Sequence, residues 1–364
     1  FEKAVAGQFV IVVRDGSELH AFPVVGRPTE LETLPAPYSA HAIRARFPIF
    51  TDERGDAQRT AHIMFTAACT YHCSYCSEAS HLVGRLRRFR GDSIEAAIAR
   101  VVEYVSYGAE SLFFDDSILW AGDFKAIRRF CLTLAELRRG EPTEAPEYVR
   151  SWLTSEMDWQ RLRELQWGAQ LTVDLLTVLR KDEDVAHLLA TMRNAGCTYI
   201  YLGIESLADE VVTKLHKNLH QGESWEPKVR RALERLQTAG IRAGSSVLFG
   251  LEGETRATID HTISGVARLI DDGLLMIASP NILTYHPATQ ITRMHKMADK
   301  IDYHTIDVES RPPYVYFEEA FPGVVSRTLS EKDIWYIHES TRIAWGSRRN
   351  SQEMAEPELN PNGR

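Results

Sequence analysis

Cysteine is scarce, with five in 364 residues. A secreted scaffold stapled by disulfides spends thiols in even sets at regular spacing, and that framework is missing, so the usage fits a reducing compartment and a cytoplasmic location is expected. No run of about 18 apolar residues occurs, which argues against a membrane-spanning helix, and the opening Phe1 to Gly7 does not resemble a cleavable leader. Positive charge is also short. The chain has 42 Lys and Arg against 50 Asp and Glu, a formal net charge of −8, so long nucleic acid would meet an adverse field and a small-molecule substrate is favoured. What is present, 44% hydrophobic and 25% charged residues, suffices for a sizeable core in one large domain with small appendages.

Along the chain, Asp15-Gly16 between two β-rich runs predicts a hairpin over residues 8–24. Residues 27–60 are rich in proline and charge and read as an irregular connection, so 1–60 form an extension. A strand at Ala61 to Ala67 then opens an alternation of strands (111–114, 168–175, 198–204, 241–249, 274–285) with helices (93–107, 123–139, 182–195, 207–216, 226–239, 256–271). Residues 141–160 read as a loop insertion. Strands alternating with helices of this length predict α/β architecture with a parallel sheet, and six units are too few for a closed eight-stranded barrel. The expected fold is a partial (β/α)6 barrel over 61–290, followed by a covering extension at 291–347 and a disordered polar tail at 348–364.

Three of the five cysteines fall within Cys69-Thr-Tyr-His-Cys73-Ser-Tyr-Cys76, on the loop after the first core strand. Disulfides consume thiols in pairs and structural zinc takes four ligands, so an odd trio points to a metal site one protein ligand short. Iron–sulfur clusters are held by thiolates, and three of them on a cubane leave one iron open. A zinc site completed by His72 or His81 is the alternative from the residues alone. The spacing, with Tyr75 before the last cysteine, resembles the signature of the radical S-adenosylmethionine (SAM) superfamily. That resemblance covers about residues 60–290 and implies a 4Fe–4S cluster on Cys69, Cys73 and Cys76, SAM bound to the open iron, and a partial barrel of six strands.

Ligands of parallel α/β folds bind at the carboxyl ends of the strands. There, Phe114-Asp115-Asp116-Ser117 resembles the family's ammonium-holding motif in the cobalamin-binding and methylthiotransferase branches, and Asp115, Asp116 and Ser117 inherit that role. Trp167, Gln170, Thr172 and Asp174 are positions for lining the barrel, with Gln170 and Asp174 as buried polar candidates. Related branches often carry an arginine where this chain has Thr172, which leaves the partner of the SAM carboxylate open. Gly203-Ile-Glu205-Ser206 resembles the motif whose Glu and Ser hold methionine and ribose. Ser246, Gly250 and the following Leu-Glu-Gly-Glu-Thr resemble the element that passes close to adenosine, and the backbone at Leu283 resembles the adenine-packing segment. Tyr285 and His286, on the substrate side, and Tyr201 are the candidate catalytic residues.

The family chemistry implied is reductive cleavage of SAM to a 5′-deoxyadenosyl radical that removes a substrate hydrogen, with a flavodoxin- or ferredoxin-type electron donor. Arginines 85, 87, 88 and 90 read either as a solvated face or as candidates to meet an acidic donor or an anionic substrate group. No second cysteine-rich region occurs, and the first 60 residues are short for a cobalamin domain. The expected function is therefore tailoring of a sugar, aminocyclitol, nucleoside or amino-acid-like molecule by epimerisation, dehydration, oxidation or rearrangement. RNA or peptide modification is the alternative enzyme reading, and a zinc-stabilised binding module the alternative of another class. Cys131 and Cys197 lie in apolar patterns, away from the strand ends that carry chemistry.

Overall fold

The computed structural model describes residues 9–15, 18–24, 43–66, 69, 71–76, 93–177, 181–217, 222–285, 289–296 and 328–346, the first two segments as backbone strands. Strands β1 (Phe9–Asp15) and β2 (Glu18–Val24) pair antiparallel, with Asp15 opposite Glu18, which is the expected hairpin.

The main sheet has seven strands in sequential order: β3 (Arg46–Thr51), β4 (Ala57–Ile63), β5 (Ser111–Phe114), β6 (Gln166–Leu171), β7 (Cys197–Glu205), β8 (Arg242–Phe249) and β9 (Ile277–Ile282). From β4 onward every pairing is parallel, giving the six-stranded half-barrel. The antiparallel edge strand β3 corrects the reading of 27–60 as irregular throughout. Its turn is built by Asp52, whose Oδ1 accepts from Arg54 N and Asp56 N at 2.9 Å, while Gly55 takes φ +87°. Pro48 is tolerated because an edge strand has one side without ladder bonds.

The helices follow their signals. Helix α1 (Ile94–Ser106) is capped by Ser93, and α2 (Phe124–Arg139) by Asp123. The 141–160 insertion proves helical, a second correction: α3 (Glu147–Arg150) precedes α4 (Glu156–Glu164), whose Ser155–Asp158 capping box satisfies the first-turn N–H groups. After α5 (Val173–Thr177) come α6 (Asp182–Asn194), α7 (Asp209–Lys214), α8 (Trp225–Thr238), α9 (Arg256–Asp271), α10 (Gln290–Met294) and α11 (Glu331–Gly346). Helix α11 packs on α9, with Trp345 Nε1 donating to Ile263 O at 3.0 Å. The third core strand ends at Leu171, not at 175, because Thr172 Oγ1 accepts from Leu175 N and starts α5. The first core strand likewise ends at Ile63, not Ala67, and the last spans 277–282.

Outward side chains of the sheet bury under the helices. Trp167, placed by sequence among the barrel-lining positions, instead stacks on Phe114 at 4.9 Å and donates to Ala195 O, fully buried in this outer layer. Facing inward, Phe47, Phe50, Phe113 and Tyr199 plug the amino end of the barrel. Two glycines admit the Tyr199 ring: a Cβ on Gly244 would lie 1.9 Å from its hydroxyl, and one on Gly168 would lie 2.9 Å from its carbonyl. Complete burial of an aromatic side chain such as Phe50 contributes roughly 2–3 kcal/mol. With the amino end filled, the barrel opens at the carboxyl ends of its strands.

Candidate active site

A cavity of about 680 Å³ occupies that carboxyl end. Cys69, Cys73 and Cys76 line it, none of them in a disulfide. Their loop is anchored at several points: Ser74 N donates to Leu215 O at 3.3 Å, Ile291 N donates to Ser74 O at 3.0 Å, and the Tyr71 hydroxyl meets Thr172 Oγ1 at 3.1 Å. Tyr71 N also donates to Cys69 Sγ at 3.4 Å. Burial pushes the Cys69 thiol up to about 11, and the neighbouring Cys73 and Cys76 push in the same direction. Three thiolates here would crowd negative charge in a poorly solvated place, which cationic irons relieve. A cubane takes each thiolate on a separate iron, and three thiols from one loop are the donor set that leaves its fourth iron open. The donor set therefore fits a 4Fe–4S cluster.

Opposite the loop stands Glu205, the last residue of β7. Its Oε1 accepts from the Tyr75 hydroxyl at 2.8 Å and from Lys217 Nζ at 2.7 Å, and its Oε2 accepts from Ser246 Oγ at 3.2 Å. Glu205 adopts φ +63°, and the β7–β8 register slips between Gly203 and Glu205. A side chain held in the left-handed region at a bulge is strained backbone of the kind that gathers at functional sites. Burial works against the Lys217 ammonium, yet Glu205 together with Cys73 and Cys76 holds the group above its ordinary value. Burial, then Glu205, pushes the Tyr75 phenol well up.

Sequence reasoning missed Lys217. It lies 12 residues beyond Glu205 and past α7, where no periodic signal marks an inward-facing cation. Its ammonium lines the same cavity as Thr172.

The two aspartates after β5 have opposite fates. Asp115 lines the cavity, and His62 Nδ1 lies 3.1 Å from both of its carboxylate oxygens. Asp116 is a correction: it is fully buried and accepts from Phe65 N, Thr66 N, Thr66 Oγ1 and Trp120 N, so its carboxylate holds the chain together and does not face the cavity. Ser117, Gln170, Asp174, Tyr201, Ser246 and Leu283 all line the cavity, Asp174 from the first turn of α5. Burial raises the Tyr201 phenol, which hydrogen-bonds Ser279 and Ser246.

Three further expectations are corrected. Ser206 is buried against Thr262 Oγ1 at 3.1 Å and accepts from Ala208 N, capping the turn into α7. Gly250 takes φ +86° and donates its N–H to the Glu254 carboxylate, outside the cavity wall. Tyr285 is buried in a small apolar cluster with Leu283 and Ile291, its ring 5.6 Å from His295, and is not on the wall. His286 and arginines 85, 87, 88 and 90 lie outside the described residues. Cys131 and Cys197 are fully buried in the outer core, Cys197 at the amino end of β7, away from the cavity.

A half-barrel presenting three thiols beside a buried carboxylate at its open end is the arrangement of a cluster-dependent α/β enzyme. The family model of the radical SAM superfamily matches residues 63–264, and the chain belongs to that superfamily. Its cofactors are a 4Fe–4S cluster and SAM. The chain is 23% identical over 231 residues to an uncharacterised methyltransferase of Pyrococcus horikoshii, an alignment covering 63% of this chain and 40% of that protein. Among solved structures it is similar to the radical SAM methyltransferase TsrM of Kitasatospora setae (18% identity, 64% of this chain and 37% of that one, TM-score 0.48). It is also similar to the cobalamin-dependent enzyme OxsB (13% identity, 81% and 45%, TM-score 0.48). The chain thus spans less than half the length of these proteins. Among the described residues no helix is long and apolar enough to cross a membrane.

Proposed function

We propose that this chain binds SAM between the cysteine loop and the Glu205–Lys217 pair and acts on a small, polar organic substrate held deeper in the barrel. The observation that carries the reading is one cavity shared by the three thiols, a carboxylate–ammonium pair and an inner ring of hydrogen-bonding groups, Gln170, Tyr201 and Ser246 among them. An α-amino acid is a zwitterion, and Glu205 with Lys217 is its charge complement: the carboxylate suits the methionine ammonium and the ammonium suits the methionine carboxylate. Tyr75 and Ser246 hold Glu205 from either side, Ser117, Gln170 and Asp174 supply further polar contacts, and Leu283 offers its backbone to adenine.

Cys69, Cys73 and Cys76 would hold the cluster beside SAM, and the two would supply the radical chemistry that removes hydrogen from carbon. The chain's own contribution is to position the reactants and exclude water, for which the filled amino end and the anchored cysteine loop are suited. A flavodoxin- or ferredoxin-type protein is the proposed electron donor. Tailoring of a sugar, aminocyclitol, nucleoside or amino-acid-like metabolite fits the polar lining.

The relatives described as methyltransferases make methyl transfer the second reading. Anaerobic reconstitution with iron and sulfide, reduction by dithionite, and quantification of both SAM products test the proposal. Deoxyadenosine is the expected product, rising above background when a substrate is present. S-adenosylhomocysteine in its place would favour methyl transfer, and neither product would overturn the reading.

A further inference from the structure

We propose that Asp115 is the proton acceptor of the substrate compartment, with His62 as its positioning residue, and that the substrate carries a hydroxyl on the carbon that loses hydrogen. The proposal rests on the radical SAM reading above and deepens it. His62 is on β4 and faces Phe113 of β5 across the parallel ladder, while Asp115 N donates to Ile63 O at 2.8 Å and extends that ladder. The imidazole is confined by the rings of Phe47 and Phe113, each with its centroid 6.0 Å away, and its Nδ1 is equidistant at 3.1 Å from both Asp115 oxygens. Each side chain is 39% exposed, so the pair is neither a surface ion pair nor a core strut.

Two comparisons within the site single the pair out. Asp116, the adjacent carboxylate, has both oxygens committed to the chain, whereas Asp115 takes only His62 among the described residues and lines the cavity. In the function proposed above, Glu205 and Lys217 match the amino-acid ends of SAM, which leaves Asp115 for another ligand. The hydrogen bond to Asp115 raises His62 above its ordinary value of 6.5, against the opposing effect of burial. Apart from Asp115, the elements packed on the ring present Phe47 and Phe113. The other titratable groups of the cavity are the cysteines, Tyr71, Tyr75, Asp174, Tyr201, Glu205 and Lys217.

A carboxylate is too weak a base for an ordinary alcohol. Once the carbon bearing the hydroxyl has lost a hydrogen atom, the neighbouring O–H is many powers of ten more acidic and comes within its range. In that step the substrate O–H bond breaks, its electron pair stays on oxygen, and the proton bonds to an Asp115 oxygen, to be passed to solvent after turnover. His62 donates from Nδ1 and fixes the carboxylate's orientation.

The test uses the reconstituted full chain with SAM, dithionite and three hydroxylated probes, myo-inositol, D-glucosamine and adenosine, reading deoxyadenosine and probe conversion by mass spectrometry. At least one probe is expected to raise wild-type deoxyadenosine above background. Asp115→Asn is then expected to lower converted probe per deoxyadenosine by about a hundredfold. His62→Ala is expected to lower it by about tenfold, and His62→Asn, which keeps a donor near the Nδ1 position but cannot titrate, to restore most of it and flatten the bend that wild type shows above pH 6.5. Iron content and circular dichroism check that each variant is folded. No response to any probe, an unchanged ratio in Asp115→Asn, or identical behaviour of His62→Ala and wild type would each overturn the inference. A tenfold weaker SAM affinity in Asp115→Asn would return Asp115 to the cofactor. Failure of the wild type to cleave SAM at all would count against the proposed function itself.

Discussion

Lys217 Nζ lies 2.7 Å from Glu205 Oε1, and both side chains are largely buried in the barrel mouth. The pair exists because position 203 is glycine: a Cβ there would meet Glu205 Oε1 at 2.4 Å and Lys217 Nζ at 2.7 Å. A buried pair is a weak source of stability, but removing one partner leaves the other charge uncompensated at a cost of about 3–5 kcal/mol.

Gly203→Ala is therefore expected to displace the pair and weaken SAM binding about tenfold or more. Glu205→Ala should weaken it further while the cluster is retained. Equilibrium SAM binding to reconstituted protein, with iron assayed in parallel, checks both. Wild-type affinity in Glu205→Ala would reduce that residue to a local strut.

Replacing Cys69, Cys73 or Cys76 singly with Ala should abolish the brown absorbance and SAM cleavage together, since in the proposed assignment each thiolate serves its own iron. Iron analysis and the visible spectrum after anaerobic reconstitution decide the point, and a variant that keeps the full complement of iron contradicts the ligand assignment.

Asp116→Ala is predicted to act on stability. Its buried carboxylate accepts from three backbone N–H groups and one hydroxyl, and stranding them should cost roughly 3–5 kcal/mol. A lowered midpoint in thermal or urea unfolding is the expected result. Unchanged stability with lost SAM affinity would restore the cofactor role read from the sequence.

Glu254 gives the fold a pH dependence. Burial raises its carboxyl from an ordinary 4.5 to about 7, despite N–H donors from Gly250 and Leu251. Because the folded-state value is the higher one, this group's contribution is full below about 4.5 and is lost as pH rises through about 7. Glu254→Gln should therefore gain on the wild type between pH 5 and pH 8.5, by on the order of 3 kcal/mol. Thermal melts across that range measure it, and parallel curves for the two proteins would refute the prediction.

Local chemistry makes much of this protein legible in its sequence. The three cysteines are within eight residues, and ligand spacing on one loop needs no tertiary information. Helix α9 begins and ends where its cap and closing glycine indicate, at Arg256 and Asp271, because capping is settled by neighbours within a turn. The strand–helix alternation carried the half-barrel for the same reason. The turn chemistry at Asp52 was available as a signal for β3, but proline and charge around it masked the pattern.

Asp115 and Asp116 mark where that legibility stops. They are consecutive carboxylates, and only the path of the chain after β5 turns one toward His62 and the cavity and the other back onto Phe65, Thr66 and Trp120. Tyr75, Glu205 and Lys217 meet across as many as 142 residues because the sheet curves and brings the ends of β4 and β7 to one mouth. Sequence alone indicated most of the parallel strands and their helices and singled out the three clustered thiols, since those depend on near neighbours. Which polar groups share the cavity was decided by the tertiary structure, since inward and outward positions separate only when the sheet bends.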